Sequence, residues 1–219
     1  MPADDGLVAR TRAHLERAGA AILIDLEFTC WEDSLRTDWA DPARPAEVIE
    51  IGLALYRVAT RTATVKFSRL VRPVVNPTLT KYCIDLLHIP QAEIDGADDL
   101  PAAIPDVAAW LRAVGANELP TCGWGPNDPR RLATDAASRG SSNPLAGRPH
   151  IDLRAVMTAQ YRHPHPIDRD ELRALANLPP NPRRHRALDD AVDLTHFLRL
   201  LVMGGSGRPP NPPTSAPTA

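Results

Sequence analysis

The chain has 219 residues, enough for one α/β domain with a full core. Its net charge of -2 excludes a protein that coats long nucleic acid through overall positive charge, so any such contact must be local or depend on metal ions. Its three cysteines, Cys30, Cys83 and Cys122, form no CxxC, which excludes a disulfide framework and a cysteine-rich zinc site and points to a reducing, cytoplasmic setting. The N-terminus lacks a basic-then-apolar leader, and no apolar run approaches the roughly 18 residues of a membrane span, so no membrane partner is expected. Basic side chains are Arg apart from Lys66 and Lys81, which together with abundant Ala and Pro reads as coding bias rather than function.

Residues 1–19 read as a leader or a short helix, with Leu7, Thr11 and Leu15 at i, i+4 and i+8. Ala20 to Cys30 begins with the β-branched, apolar run of a buried central strand. A polar loop with Pro42 and Pro45 follows. Val48 to Val58 forms a second strand, in which Gly52 marks a close approach. Residues 64–72 alternate as a third strand stopped by Pro73. The short connections predict an antiparallel meander.

Thr80 to Leu87 predicts a short helix, and Leu100 to Val114 a longer one with Ile104, Val107 and Leu111 at helical spacing. A short strand from Thr121 to Trp124 ends in Gly125-Pro126. A helix runs from Asp128 to Ser138, with Asn127 or Asp128 near its N-cap. His150 to Arg154 predicts a fifth strand. Arg169 to Leu178 predicts a short helix broken by Pro179, Pro180 and Pro182. Ala187 to Val202 is a long amphipathic helix, with Leu188, Ala191, Leu194, Leu198 and Leu201 on its core face. The Gly, Pro, Ser and Thr of residues 204–219 cannot bury a core and predict disorder. Together these elements predict one α/β domain over residues 20–203, a mixed five-stranded sheet with helices on its faces and no internal repeat.

Four acidic residues and one histidine stand where buried runs end: Asp25, Glu27, Asp128, His185 and Asp190. Asp25 and Glu27 are two apart on a strand and share a face. Two carboxylates on a buried strand face are unfavourable unless paired or metal-bound. Mg²⁺ and Mn²⁺ prefer such oxygen ligands, and two ions about 3.5–4 Å apart can orient water and stabilise a leaving oxygen. Each residue alone has a bland alternative. A D-x-E can be a solvated strand end, Asp128 an N-cap, Asp190 a favourable charge in a first helical turn, and His185 a surface residue. Their joint order points instead to metal-assisted hydrolysis of a phosphodiester, with His185 on a mobile Pro-Arg-Arg segment as general base.

The runs ILIDLEFTCWED, EVIEIGLALY, RPVVNPTLTKYCIDLLHIPQAEIDGADDL, GWGPNDPRRL and HRALDDAVDLTHFL resemble the DEDDh family of 3′–5′ exonucleases within the RNase T and DNA polymerase III epsilon superfamily. The Thr-Cys-Trp after Asp25-x-Glu27 and the segment from Asn76 to Ile89 narrow the likeness. They indicate the branch of Eri-type, histone-mRNA 3′ exonuclease and KapD-like proteins. The resemblance spans about residues 20–203 and implies an RNase H-like fold. It implies Asp25, Glu27, Asp128 and Asp190 as ligands of two Mg²⁺ or Mn²⁺ ions, and His185 as the base that deprotonates the attacking water. The family spacing His-x-x-x-x-Asp selects Asp190 over Asp189, leaving Asp189 and Asp193 solvated or supporting. Phe28 and Thr29 match positions that touch the terminal nucleotide, and Trp31 and Tyr82 are further candidate base or sugar contacts, each equally able to be core. Arg130, Arg131, Arg183, Arg184 and Arg186 are candidate phosphate contacts or a solvated rim. Pro126 stiffens the turn before Asp128, and the prolines ahead of His185 restrict its closure.

The implied activity is 3′–5′ hydrolysis of single-stranded RNA, with DNA as a second substrate, releasing 5′-nucleotides. Some relatives carry a further nucleic-acid-binding domain that residues 1–19 cannot hold, so short single-stranded 3′ ends are the expected partner. Two rivals stand beside this reading: a DNA proofreading or repair exonuclease, and a KapD-like regulator acting by protein contact. His163-Pro164-His165 invites a metal reading, but the intervening proline points to a loop.

Overall fold

The computed structural model describes residues 3–204 of the chain, so the predicted disordered tail lies almost wholly outside the described residues. In chain order the elements are α1 (Ala3–Ala18), β1 (Ala20–Phe28), α2 (Ser34–Thr37), β2 (Val48–Arg57), β3 (Thr62–Leu70), α3 (Lys81–Leu87) and α4 (Gln91–Asp95). These are followed by α5 (Leu100–Ala113), β4 (Thr121–Gly123), α6 (Asn127–Ser138), β5 (His150–Asp152), α7 (Leu153–Gln160), α8 (Arg169–Ala176) and α9 (Ala187–Val202). The sheet runs β3-β2-β1-β4-β5. β1, β2 and β3 form the expected antiparallel meander, and β4 and β5 lie parallel to β1 and to each other. Among the described residues no helix is long and apolar enough to cross a membrane.

Strand periodicity divides the core. On β1, Ile22, Ile24 and Leu26 point to the face covered by α5 and α6, where they meet Leu100, Ile104, Val107 and Leu132. Ala21 and Leu23 point to the opposite face, against Phe197, Leu194 and Leu198 of α9 and Leu153 and Val156 of α7. That second face then continues into Asp25 and Glu27. It is therefore apolar at one end and acidic at the other, and α9 crosses both halves with Phe197 over the first and Asp190 toward the second. Helix α1 packs Leu15 into this same layer, and the Arg12 guanidinium donates to the Leu201 carbonyl at 2.8 Å.

The boundaries differ from expectation where a cap competes with a strand. The fifth strand stops at Asp152 rather than Arg154, because the Asp152 carboxylate accepts the Ala155 amide at 3.0 Å and starts α7, a helix the sequence pattern did not suggest. Asp128 is not the cap of α6. Pro126 holds that position without a side-chain bond, and Asp128 is the second helical residue. The one-turn helix α2 lies in the segment read as a polar loop, and α4 lies between the two predicted helices, in a stretch to which the sequence pattern assigns no element.

Helix α9 begins without a cap of its own. Its Ala187 amide instead donates at 3.0 Å to Oε2 of Glu50, a buried carboxylate on β2. A sheet residue thus satisfies a helix-terminal donor. The approach requires Gly52, since a Cβ there would lie 2.1 Å from the Ala187 carbonyl carbon. Gly52→Ala must push α9 off the sheet. Overpacking of this kind costs about 1–3 kcal/mol, and at about 2–4 °C per kcal/mol for a chain this size the expected fall in melting temperature is several degrees. An unchanged melting curve would contradict the close packing of α9 on β2.

Candidate active site

Asp25 and Glu27 sit at the C-terminal end of β1, and Asp190 lies in the first turn of α9. One carboxylate oxygen from each lies within 4.8 Å of the others. Asp128 stands beside this trio rather than inside it. Its Oδ2 lies near Gly123 at the end of β4, and the Asp25 charge is close enough to act on it. The turn that aims Asp128 is braced by His150. The imidazole Nε2–H donates to the Gly125 carbonyl at 2.9 Å, and Nδ1 accepts from the Thr121 hydroxyl at 2.9 Å. Gly125 has φ 102°, a conformation open to glycine and strained for other residues.

Burial and mutual repulsion set the electrostatics. Burial pushes the Asp25 carboxyl up to about 7, with Arg169 opposing and Asp190 and Glu50 adding to the rise. Glu27 is held well above the usual carboxylate range by burial, then by Asp25, Asp190 and Glu50. Asp128 is raised by burial and by Asp25, against Arg169 and Arg131. Glu27 lies directly opposite Glu50 across the β1–β2 ladder, a like-charge pair that is unfavourable unless compensated. Compensation comes from Arg186, whose Nε and Nη2 reach Glu50 at 3.1 and 3.0 Å.

Oxygen-only donors crowded in this way suit hard divalent cations. The chain also brings a cation of its own to them. Arg169, the first residue of α8, places Nη2 at 2.7 Å from Asp25 Oδ1 and Nη1 at 3.2 Å from Asp190 Oδ1. Burial works against its charge, but Asp25, Asp190 and Asp128 more than offset that and hold its proton tightly.

His185 borders the same cleft, with Trp124, Asp168, Arg169, Arg184 and the three carboxylates. Its backbone is left-handed, φ 61°, and its amide donates to Asp190 Oδ2 at 2.9 Å. Asn181 donates to Asp190 Oδ1 at 2.6 Å. The segment read as mobile is thus tied at two points to the carboxylate it serves. Burial lowers the proton affinity of the His185 ring below the usual histidine value. Asp190 opposes that shift, and Arg184, Arg169 and His88 add to it.

The expected substrate contacts divide. Phe28 forms an edge-to-face pair with Trp39 at 6.3 Å, and the Arg131 guanidinium lies 4.3 Å from the Trp39 ring centroid. Thr29 is buried, its hydroxyl donating to Pro45 O at 2.9 Å and accepting the Glu47 amide at 3.1 Å. Its backbone is likewise committed, to the Glu47 carbonyl and the Trp39 indole. Thr29 therefore braces a loop junction, with its hydroxyl and its backbone groups already partnered. Trp31 and Tyr82 line a separate groove with Arg44 and Lys81.

Among the arginines, Arg186 belongs to Glu50, Arg131 to Asp38, Arg183 to Asp189 at 3.2 Å and Arg184 to Asp170 at 2.5 Å, while Arg130 lies exposed. Asp193 is a buried partner of Arg173, a supporting role rather than a solvated one. His163 and His165 lie in a loop as expected. Ligand atoms from both and from Glu171 fall within 4.8 Å, but His163 already bonds the His165 carbonyl at 2.8 Å and Glu171 at 2.9 Å.

Sequence reasoning missed Arg169, Trp124, Glu50 and Asn181. Glu50 had a local signal, as an acidic residue inside the apolar run VIEIGLALY. Trp124 directly follows β4, a few residues before Asp128. Arg169 and Asn181 had none, since only the fold brings them to Asp25 and Asp190.

A carboxyl whose folded-state proton affinity is raised favours the folded chain below its unfolded value, about 3.9. That advantage is lost as pH climbs toward about 7, the folded value of Asp25. In EDTA, Asp25→Asn should therefore gain melting temperature relative to the parent as pH rises from 4 to 7. A difference that stays flat across that window would contradict the burial of the Asp25 charge.

The Exonuclease (RNase_T) family model matches residues 22–196. The 3′-5′ exonuclease Snipper of Drosophila melanogaster is 27% identical over 84% of this chain and 70% of its own length. The 3′-5′ exonuclease crn-4 of Caenorhabditis elegans is 28% identical over 84% of this chain and 64% of its own length, so the chain spans about two thirds of these relatives. The crystal structure of CRN-4 superposes with a TM-score of 0.73 at 26% identity, covering 86% of this chain and 65% of that one. The nuclease domain of 3′hExo, a DEDDh family member bound to rAMP, superposes with a TM-score of 0.71 at 22% identity, covering 88% of this chain and 96% of that one. The chain belongs to the Exonuclease (RNase_T) family and has the fold of its DEDDh 3′–5′ exonucleases.

Proposed function

We propose that the chain removes 5′-nucleotides from the 3′ ends of single-stranded RNA, with single-stranded DNA as a second substrate. The observation that carries this reading is the convergence of Asp25, Glu27 and Asp190 within 4.8 Å, on a cleft that His185 also lines. Support for RNA comes from the 3′hExo nuclease domain, described as bound to rAMP. Mg²⁺ or Mn²⁺, two ions by this reading, held by Asp25, Glu27, Asp190 and Asp128, would supply positive charge at the scissile phosphate and acidify water.

The chain's own groups divide the remaining work. His185 is neutral at physiological pH, because burial and its cationic neighbours disfavour the imidazolium. It can therefore accept the proton of the attacking water as that oxygen bonds to phosphorus and the P–O3′ bond breaks. Asp190 both belongs to the carboxylate trio and fixes the His185 backbone, so base and ligand move as one. The groove of Trp31 and Tyr82 offers stacking faces to upstream nucleotides, while Arg44 and Lys81 at its edge are paired with Asp33, Asp41 and Asp85. Phe28 is the candidate terminal-nucleotide contact beside the carboxylates, and Thr29 supports it from behind.

Release of mononucleotides from a single-stranded RNA is expected to vanish in Asp25→Asn with the fold preserved. His185→Ala should lower kcat by about 10²–10⁴-fold, the usual contribution of a positioned base. The parent's kcat/KM should fall with decreasing pH through a value below the ordinary histidine range. Arg184→Ala should move that limb to higher pH, because it removes a charge that disfavours the imidazolium. Undiminished turnover in Asp25→Asn would overturn the assignment of the site. A limb unmoved in Arg184→Ala would remove His185 from the role of base.

A further inference from the structure

Arg169 stands in the place where positive charge is most strongly drawn. Its guanidinium bonds Oδ1 of Asp25 at 2.7 Å and approaches Oδ1 of Asp190 at 3.2 Å, and these are two of the three carboxylates whose oxygens converge within 4.8 Å. It lies 5.7 Å from the Trp124 ring centroid, on the wall of the same cleft. The side chain is anchored at the start of α8, where Asp168 accepts the Glu171 amide at 2.7 Å and fixes the helix N-terminus.

A divalent ion needs carboxylate lone pairs at about 2.0–2.1 Å for Mg²⁺. The guanidinium already engages one oxygen on each of two members of this trio, Oδ1 of Asp25 and Oδ1 of Asp190. An ion placed among them would also stand close to a full positive charge beside buried and half-buried carboxylates, where like charges repel more than in bulk water. Guanidinium and ion thus compete for the same carboxylates. The orientation of Asp190 does not depend on Arg169 alone. Asp190 keeps two other donors, Asn181 at 2.6 Å and the His185 amide at 2.9 Å, so the carboxylate remains oriented when the guanidinium leaves.

We propose that Arg169 is an exchangeable counter-cation of the carboxylate site. It neutralises Asp25 and Asp190 when no ion is bound, and a divalent ion must displace it toward the Trp124 wall. This inference rests on the metal reading of the site. It predicts that the chain tolerates the loss of its ions better than buried like charges alone would allow, and that this tolerance weakens ion binding.

The test is Mn²⁺ titration by calorimetry, without nucleic acid, on the parent, Arg169→Gln, Arg169→Lys and Asp25→Asn, with melting curves in EDTA. Arg169→Gln should bind Mn²⁺ at least about tenfold more tightly than the parent and melt lower than it in EDTA at pH 8. Arg169→Lys keeps the charge without the two-pronged fit, so it should fall between the two and serves if the Gln variant does not fold. Mn²⁺ affinity in Arg169→Gln equal to or below the parent's would overturn the role of Arg169 and leave the metal reading standing. Absence of any Asp25-dependent Mn²⁺ binding in all variants would overturn both.

Discussion

Carboxylates buried beside one another on a single sheet face are the constraint around which this molecule is arranged. Asp25 and Glu27 continue the same strand face that carries Ala21 and Leu23 into the core, and Glu50 lies opposite Glu27 on the neighbouring strand. Each would be unfavourable if left unpaired. Arg186 and the Ala187 amide take up Glu50, and Arg169 takes up Asp25 and Asp190. The remaining strain appears as raised proton affinity at Asp25, Glu27 and Asp128, and it is a standing attraction for cations.

The compensation also builds the geometry. By accepting the Ala187 amide, Glu50 sets where α9 starts, and Gly52 lets that start lie against β2. Asp190 is then carried to the end of β1, and it in turn holds the amide of His185. A chain of contacts therefore runs from a strand residue, through a helix N-terminus, to the candidate base. On the other side, His150 holds the Gly125 turn that delivers Asp128. Catalytic placement here depends on groups whose own role is structural, so their loss should resemble loss of the site itself.

Much of this was legible in the sequence because strands and caps leave local marks. The apolar run before Asp25 gave β1, and α9 was read with its observed limits because its core-facing residues recur at helical spacing. Of the candidates named by their order, the fold gathers Asp25, Glu27 and Asp190, lines their cleft with His185, and leaves Asp128 beside them. What failed did so for physical reasons. The sequence pattern carries the fifth strand on through Leu153 and Arg154, because the cap that starts α7 is a single side-chain bond from the Ala155 amide to Asp152, invisible until that amide is placed. Thr29, which matches a contact position, is buried with partners at Pro45 and Glu47 that sequence spacing does not reveal. Arg186 reads in sequence as a phosphate contact or part of a solvated rim, and its partner Glu50 is 136 positions away. Arg169 is one arginine among many until α8 swings it onto Asp25.

The central claim, a 3′–5′ exonuclease acting on single-stranded RNA through this carboxylate site, is tested most directly by digesting a 5′-labelled single-stranded RNA and the matching DNA with Mg²⁺, Mn²⁺ or EDTA. The account predicts a ladder that shortens from the 3′ end only when a divalent ion is present, with RNA consumed faster than DNA. Folded protein that gives no ladder with either ion, or internal cleavage in place of stepwise shortening, would contradict it.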